Sequence, residues 1–248
     1  MSELKIAAAQ VASVRGDIGG NIRTHVAAIT SAAEQGISVL VFPELSLIGY
    51  EPDLAAELAI TATDDRLASL ATLARRHRME VVVGASLFNA GTKPGLGAIL
   101  FAADGSTRTY SKMHLGGSEP TYFAPGGAAL AFATHGQRVG IAICADSSKP
   151  SHPQAYADLG STIYAAGVFL NAEWYTTDSP RLAEYASRFR MLVVMANHAA
   201  SIGAYVSVGR SAVWAPGGNL LAQAVSTESS LVIATRGPEA WCGEVVRL

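Results

Sequence analysis

Three residues in this chain have side chains that could do chemistry together: Cys144, Glu44 and Lys112. Cys144 ends the apolar run VGIAICAD (139–146), where a buried strand meets a polar loop. Sites in α/β sheets gather at the carboxyl ends of strands. A thiol there needs a nearby base or cation, because its free pKa is about 8.5 and only the thiolate attacks. Glu44 lies in VLVFPELSLIGY (39–50), with apolar residues before and after it. Such flanks imply a half-buried carboxylate, and burial raises a carboxylate's pKa into the range of a general base. Lys112 lies in YSKMHLGGSEPTYFAPGG (110–127), close to His114, Glu119, Tyr122 and Phe123. That mixture suits a pocket-lining loop better than a plain connection. Singly, each residue has a plainer reading: a core cysteine, a loop glutamate and a solvated lysine. Together they make a nucleophile, a base and a cation able to meet an oxyanion.

The elements that must position these groups alternate along the chain. LKIAAA (4–9) reads as a strand, and 21–36 as a helix capped by Asn21 and stopped at Gly36. Residues 38–45 form a strand running into Pro43, residues 64–78 a second amphipathic helix, and residues 80–88 another strand. Residues 97–115 read as a hairpin turning at Asp104-Gly105. The second half repeats this grammar. A strand over 138–146 is followed by a helix ending at Gly160 and a strand over 161–169. A helix over 179–190, a strand at 191–198, a hairpin around Gly217-Gly218 (211–224) and a strand over 230–236 complete the series. AAEQGISVLVFPEL and AYADLGSTIYAAGVF both run helix, glycine, spacer, apolar strand. Apolar strands alternating with helices predict an α/β fold with sheets buried by helices, and the two halves predict two sheets packed together. No stretch has the character of a linker, so residues 1–248 are expected to form one domain.

Composition narrows the function classes. The chain has 248 residues, half of them apolar and 15% charged, with 18 basic and 20 acidic residues for a net charge of −2. That balance excludes the basic footprint of a nucleic-acid binder, and no basic amphipathic stretch points to a membrane surface. The opening MSELKIAAAQVAS lacks the basic leading region and unbroken apolar run of a signal peptide, and no run approaches the roughly 18 apolar residues of a membrane span. A cytoplasmic location is expected. Cys144 and Cys242 lie far apart, and a reducing compartment disfavours a disulfide between them. There is no CxxC or HExxH, and no metal-ligand spacing among the six histidines. The glycine pairs lack a dinucleotide-binding context, and no G-x-S-x-G elbow competes for the nucleophile. No metal or organic cofactor is expected.

FPELSLIGY, SKMHLGGSEPTYFAPGG and VGIAICAD, in this order, resemble the three signature regions of the nitrilase (carbon–nitrogen hydrolase) superfamily. The resemblance extends from KIAAAQ to the late GRSAVWAPGG. It implies a four-layer αββα sandwich and a Glu-Lys-Cys triad. Glu44 then matches the general base, Lys112 the catalytic lysine and Cys144 the nucleophile. Glu119 matches a second glutamate beside the lysine. Lys112 and the Ala145 amide match the oxyanion hole. Tyr50, Tyr122, Val168 and Phe169 are expected to line the substrate pocket, with GVFLNAEWY (167–175) offering an apolar and aromatic wall and Asn171 and Glu173 as polar options.

The implied activity is hydrolysis of a non-peptide carbon–nitrogen bond through a cysteine thioester. The preferred substrates are a small aliphatic amide or an ω-amide of a dicarboxylate, with carbamoyl amides and nitriles as alternatives. A catalytically silent scaffold is a further alternative, as is a glutaminase-like subunit serving a separate synthetase. The chain departs from the family after the cysteine. CADSSKPSHPQ keeps Asp146 and Pro150 but has Ser148 where an arginine or asparagine is common, and Ser151 in place of a glutamate. The later A-R-A-x-E-N pattern is also altered, to YASRFRM before ANH. These changes bear on the substrate and leave the triad intact. The C-terminal end lacks a spiral-forming tail, so a homodimer is expected. His25 and His77 read as surface residues, His114 as a loop-orienting residue, His198 as a hydrogen-bonding one and Cys242 as a non-catalytic thiol.

Overall fold

Strands with no polar alternation require cover on both faces, and the structure, a computed structural model describing residues 3–248, supplies it. The first half runs β1 (Lys5–Gln10), α1 (Ile18–Glu34), β2 (Val39–Val41), α2 (Ala68–His77), β3 (Glu80–Leu87), β4 (Gly95–Phe101), β5 (Thr107–Ser111) and the single turn α3 (Glu119–Tyr122). The second half runs β6 (Ala131–Thr134), β7 (Gln137–Ile143), α4 (Ser151–Asp158), β8 (Ile163–Gly167), α5 (Ala172–Arg188), β9 (Leu192–Ala196), β10 (Ala212–Trp214) and β11 (Leu220–Gln223). β12 (Ser230–Arg236) and β13 (Trp241–Arg247) return to the first sheet. The strand orders are β13-β12-β1-β2-β3-β4-β5 and β11-β10-β9-β8-β7-β6. β1, β2 and β3 are parallel, as are β7, β8 and β9. No helix among the described residues is long and apolar enough to cross a membrane.

The period of two along each strand assigns the layers. In β8, Ile163 and Ala165 join the core between the sheets, while Tyr164 and Ala166 join the core beneath α5. β9 divides in the same way, with Leu192, Val194 and Ala196 on one side and Val193 and Met195 on the other. The sheets touch through β1 and β9, and through β2 and β8. α1 and α2 cover the first sheet, and α4 and α5 the second. The mixed α/β sandwich of two sheets between helices is therefore as the sequence implies. The two similar segments become the α1–β2 and α4–β8 units, whose strands face each other across the interior.

Several boundaries differ from the sequence expectation. α1 starts at Ile18, capped by the Asp17 carboxylate on the Gly20 amide at 2.8 Å, because the glycines at 19 and 20 conceal its first turn. Asn21 is therefore no cap. It is buried, and its side chain holds the Val14 backbone at both ends and the Leu47 carbonyl. His25 is not on the surface. It is fully buried, stacked on Phe42 and hydrogen-bonded to the Asn21 carbonyl and the Ser46 hydroxyl. His77 is exposed as expected. α5 begins at Ala172, seven residues before the expected start, with Asn171 capping the Trp174 amide and Pro180 tolerated inside. β6 and β13 have no counterpart in the sequence reading. β13 is an exposed edge strand with too little apolar pattern to reveal it.

Gly84 of β3 and Gly167 of β8 flank the loop after β2 from the two sheets. A Cβ on Gly84 would meet the Pro43 carbonyl and the Leu45 amide, and one on Gly167 the Phe42 carbonyl. The Glu44 loop thus occupies the space two side chains would need. Gly84→Ala is expected to lower unfolding free energy by about 1–3 kcal/mol, the usual cost of overpacking. Urea denaturation measures it, and an unchanged midpoint would show that the loop yields freely.

Candidate active site

The structure brings Glu44, Lys112, Glu119 and Cys144 together where the two sheets meet. Glu44 follows β2, Lys112 follows β5 and Glu119 opens α3, all from the first sheet; Cys144 follows β7 of the second. Glu44, Lys112 and Glu119 are buried, so Glu44 is more deeply enclosed than its flanks imply. Lys112 Nζ donates to Glu44 Oε1 and to Glu119 Oε1, each at 2.7 Å. Glu119 also accepts from the Tyr50 hydroxyl at 3.1 Å and the Gly116 amide at 2.8 Å. The second oxygen of Glu44 accepts from the Phe169 amide at 3.2 Å, a bond from the end of β8 to the end of β2. His198 Nε2 donates to the Glu44 carbonyl at 2.8 Å, which fixes its tautomer; burial lowers this histidine's pKa to about 4 and keeps it neutral.

The electrostatics of the cluster follow from its burial. Burial pushes the Glu44 carboxyl up to about 7, against the pull of the Lys112 ammonium and with help from the Glu119 charge. Burial pulls the Lys112 pKa down, but its carboxylate neighbours outweigh that and hold it well above its ordinary value. Burial and the Glu44 charge raise the Cys144 thiol, with Lys112 opposing them. Cys144 is therefore a thiol at rest, and its Sγ donates weakly to the Phe169 carbonyl at 3.6 Å. Its backbone is left-handed at φ 40°, as is that of Leu45 beside Glu44 at φ 51°. Strained non-glycine residues of this kind persist where surrounding structure enforces them.

Asp146 provides that enforcement. It is fully buried. One carboxylate oxygen accepts from the amides of Met113 and His114 and lies 3.2 Å from His114 Nδ1. The other accepts from the Ile143 amide and the Tyr110 hydroxyl. The residues after Lys112 are thereby tied to those around Cys144, and His114 serves the loop, as expected. The chain continues as Tyr164 hydroxyl to His152 Nδ1, and His152 Nε2 to the Tyr110 oxygen. His114, Asp146 and His152 are the one group of three or more among the described residues whose ligand-type atoms all lie within 4.8 Å of one another, close enough to share a metal ion. Both nitrogens of His152 and both oxygens of Asp146 are already occupied by these hydrogen bonds.

A cavity of about 400 Å³ opens beside Cys144. Tyr50 and Ala145 line it, as does Glu119. Phe169 lies just behind, stacked on Tyr50 with ring centroids 4.7 Å apart. Val168 and Tyr122 do not line it. The alternation along the chain turns Val168 into the core under α5, and Tyr122 sits exposed on α3. Asn171 is spent as the α5 cap, and Glu173 faces solvent. Leu170 and Trp174 come from the stretch read as an apolar and aromatic wall, Gly116, Gly117 and Ser118 from the loop read as pocket-lining, and Ser148 from the altered cysteine motif; Asp178 and Tyr205 are the lining residues that the sequence reading lacks. Trp174 and Asp178 are four apart on one face of α5, a signal hidden by the misplaced helix start.

The fold and these groups define an α/β sandwich with a buried carboxylate–lysine–carboxylate cluster beside a strained cysteine. The chain belongs to the carbon-nitrogen hydrolase family, whose model matches residues 5–241. It is 30% identical over 171 residues to a glutamine-dependent NAD(+) synthetase of Thermotoga maritima, covering 66% of this chain and 29% of that protein. It is 32% identical over 163 residues to an (R)-stereoselective amidase of a Pseudomonas species, covering 64% of this chain and 58% of that one. The matched segment thus spans well under two thirds of either relative. Among solved structures it resembles the amidase from Nesterenkonia sp. AN1, of the nitrilase superfamily. A mutant of that protein superposes with a TM-score of 0.84 and 24% identity over 93% of this chain and 92% of that one, and carries acrylamide added at its active-site cysteine.

Removing the ammonium would leave two carboxylates buried and facing each other. Lys112→Met is expected to cost about 3–5 kcal/mol of stability, the range for breaking a buried ion pair. Adding Glu44→Gln should recover part of the loss. Denaturant unfolding of the single and double variants tests this, and additive losses would show that the charges are not coupled.

Proposed function

We propose that this chain is a thiol amidase that cleaves the carbon–nitrogen bond of a small amide through a thioester on Cys144. The observation that carries this reading is the pairing of a neutral, strained thiol with a carboxyl whose pKa burial has moved to about 7. A thiol that is not already ionised needs a base, and a carboxylate poised near neutrality is well matched to that task.

Glu44 takes the Cys144 proton as sulfur bonds to the amide carbon. The carbonyl oxygen becomes an oxyanion facing Lys112 and the Ala145 amide, which stands in the first turn after β7. Collapse breaks the carbon–nitrogen bond, and Glu44 returns its proton to the departing ammonia or amine. Water then attacks the thioester, giving a proton to Glu44. The carbon–sulfur bond breaks, the acid leaves and the thiol is restored. Glu119 acts on Lys112, sharing its ammonium with Glu44 and fixing its position. Each oxyanion donor in such a site typically contributes about 10²–10³ in rate. The reading requires no metal or organic cofactor and a small-molecule amide as the only partner. It fits a cytoplasmic homodimer.

Ammonia release from a panel of small amides, carbamoyl compounds and nitriles, run beside Cys144→Ala, tests the assignment. Turnover that vanishes in the variant supports it. A folded wild-type protein that releases no ammonia, and whose Cys144 reacts with iodoacetamide no faster than exposed Cys242, would favour a silent scaffold.

The pH dependence follows from Glu44. As base it must be ionised, and below about pH 7 it is increasingly protonated. kcat/KM should therefore fall on the acid side with an apparent midpoint near 7 that belongs to the coupled cluster. A profile flat down to about pH 5 would remove Glu44 from that role.

A further inference from the structure

The cavity beside Cys144 has a definite charge character. Tyr50, Trp174 and Tyr205 give it aromatic walls, and Leu170 adds an apolar one. Its carboxylates are Glu119 and Asp178, and none of the described residues lining it is lysine or arginine. Asp178 lies on α5 one turn after Trp174, with its side chain 17% exposed. Its ion-pair partner is Arg181, Nη1 to Oδ1 at 2.8 Å, one turn further along and outside the lining. The pair therefore turns its anionic end towards the cavity.

The deeper cluster adds to this field. Lys112 stands between two carboxylates, so with all three ionised the group carries a net charge of −1. A ligand reaching from Cys144 towards α5 passes from one source of negative potential to another, between aromatic faces. Ring faces attract cations. A carboxylate in the same place would lose water and meet like charge, with no lysine or arginine among the described lining residues to pair with it.

Resting on the thiol amidase reading, we propose that Asp178 is a specificity-determining residue. It sets the cavity to accept amides whose far end is an ammonium or a neutral group and to reject those whose far end is a carboxylate. ω-Amides of dicarboxylic acids thereby fall outside the substrate class, and ω-amino amides and neutral aliphatic or aromatic amides fall within it.

Three amides of matched length test the assignment: 5-aminopentanamide, hexanamide and the monoamide of adipic acid. The measured quantity is kcat/KM for wild type, Asp178→Asn and Asp178→Glu. Wild type should favour the ammonium over the carboxylate compound by at least about tenfold, a modest effect for charges a few ångströms apart. Asp178→Asn should shrink that ratio by about tenfold, chiefly through KM, and Asp178→Glu should preserve its direction. Should Asp178→Asn fail to fold, Arg181→Gln reads the same property, because freeing the carboxylate from its cation should widen the ratio. Equal use of the charged amides by wild type, or a ratio unmoved by these substitutions, would overturn the charge assignment alone. No turnover of any amide, with no acyl adduct on Cys144 by intact mass, would overturn the thiol amidase reading beneath it.

Discussion

One buried ammonium holds this site together. Lys112 has no solvent to stabilise it, so it persists as a cation only because Glu44 and Glu119 each lie 2.7 Å away. Neither carboxylate would be stable there without it. The three groups impose one another's charge states, and the geometry of each is fixed by the other two. The remaining contacts extend this mutual constraint outward. Tyr50 and Gly116 fix Glu119, Phe169 fixes Glu44, and His198 fixes the Glu44 backbone. Because the thiol is held neutral by the same burial, reactivity depends on a proton moving within the cluster rather than on a preformed thiolate.

A second constraint is mechanical. Two loops from different sheets must present their side chains to one point within fractions of an ångström. Asp146 does this by accepting hydrogen bonds from the Lys112 loop and from the end of β7. The glycines at 84 and 167 do it by leaving room for the Glu44 loop between the strands. The left-handed backbone at Leu45 and Cys144 is the local cost of the arrangement, and dense packing on both faces of each sheet sustains it.

The sequence shows the architecture and the four central residues more plainly than it shows the pocket. Strands buried on both faces appear as unbroken apolar runs, so β1, β3, β7, β8 and β9 are readable directly. Asp104-Gly105 and Gly217-Gly218 mark their hairpins by turn chemistry that depends on local backbone alone. What escapes the sequence depends on docking between distant segments. His25 is buried because the 42–46 loop settles over α1, which helix periodicity cannot reveal. Asp178 is missed because Pro180 resembles a helix start, although α5 is already more than two turns old there. Val168 and Phe169 are adjacent in an apolar run, and only the register of β8 decides which one approaches the site. Tyr205 reaches the cavity from a loop whose position has no local sequence signature.

The two facing helix–strand units have a consequence for how the protein matures. Everything up to β5 and α3 supplies both carboxylates and the ammonium, while the sulfur comes only with the second sheet. A nascent chain that has emerged only as far as residue 130 therefore carries the three charged residues and not the thiol. The first sheet itself stays incomplete until β12 and β13, from the far end of the second half, pair beside β1. The complete site is thus a product of the whole fold, assembled only once the second sheet has packed on the first.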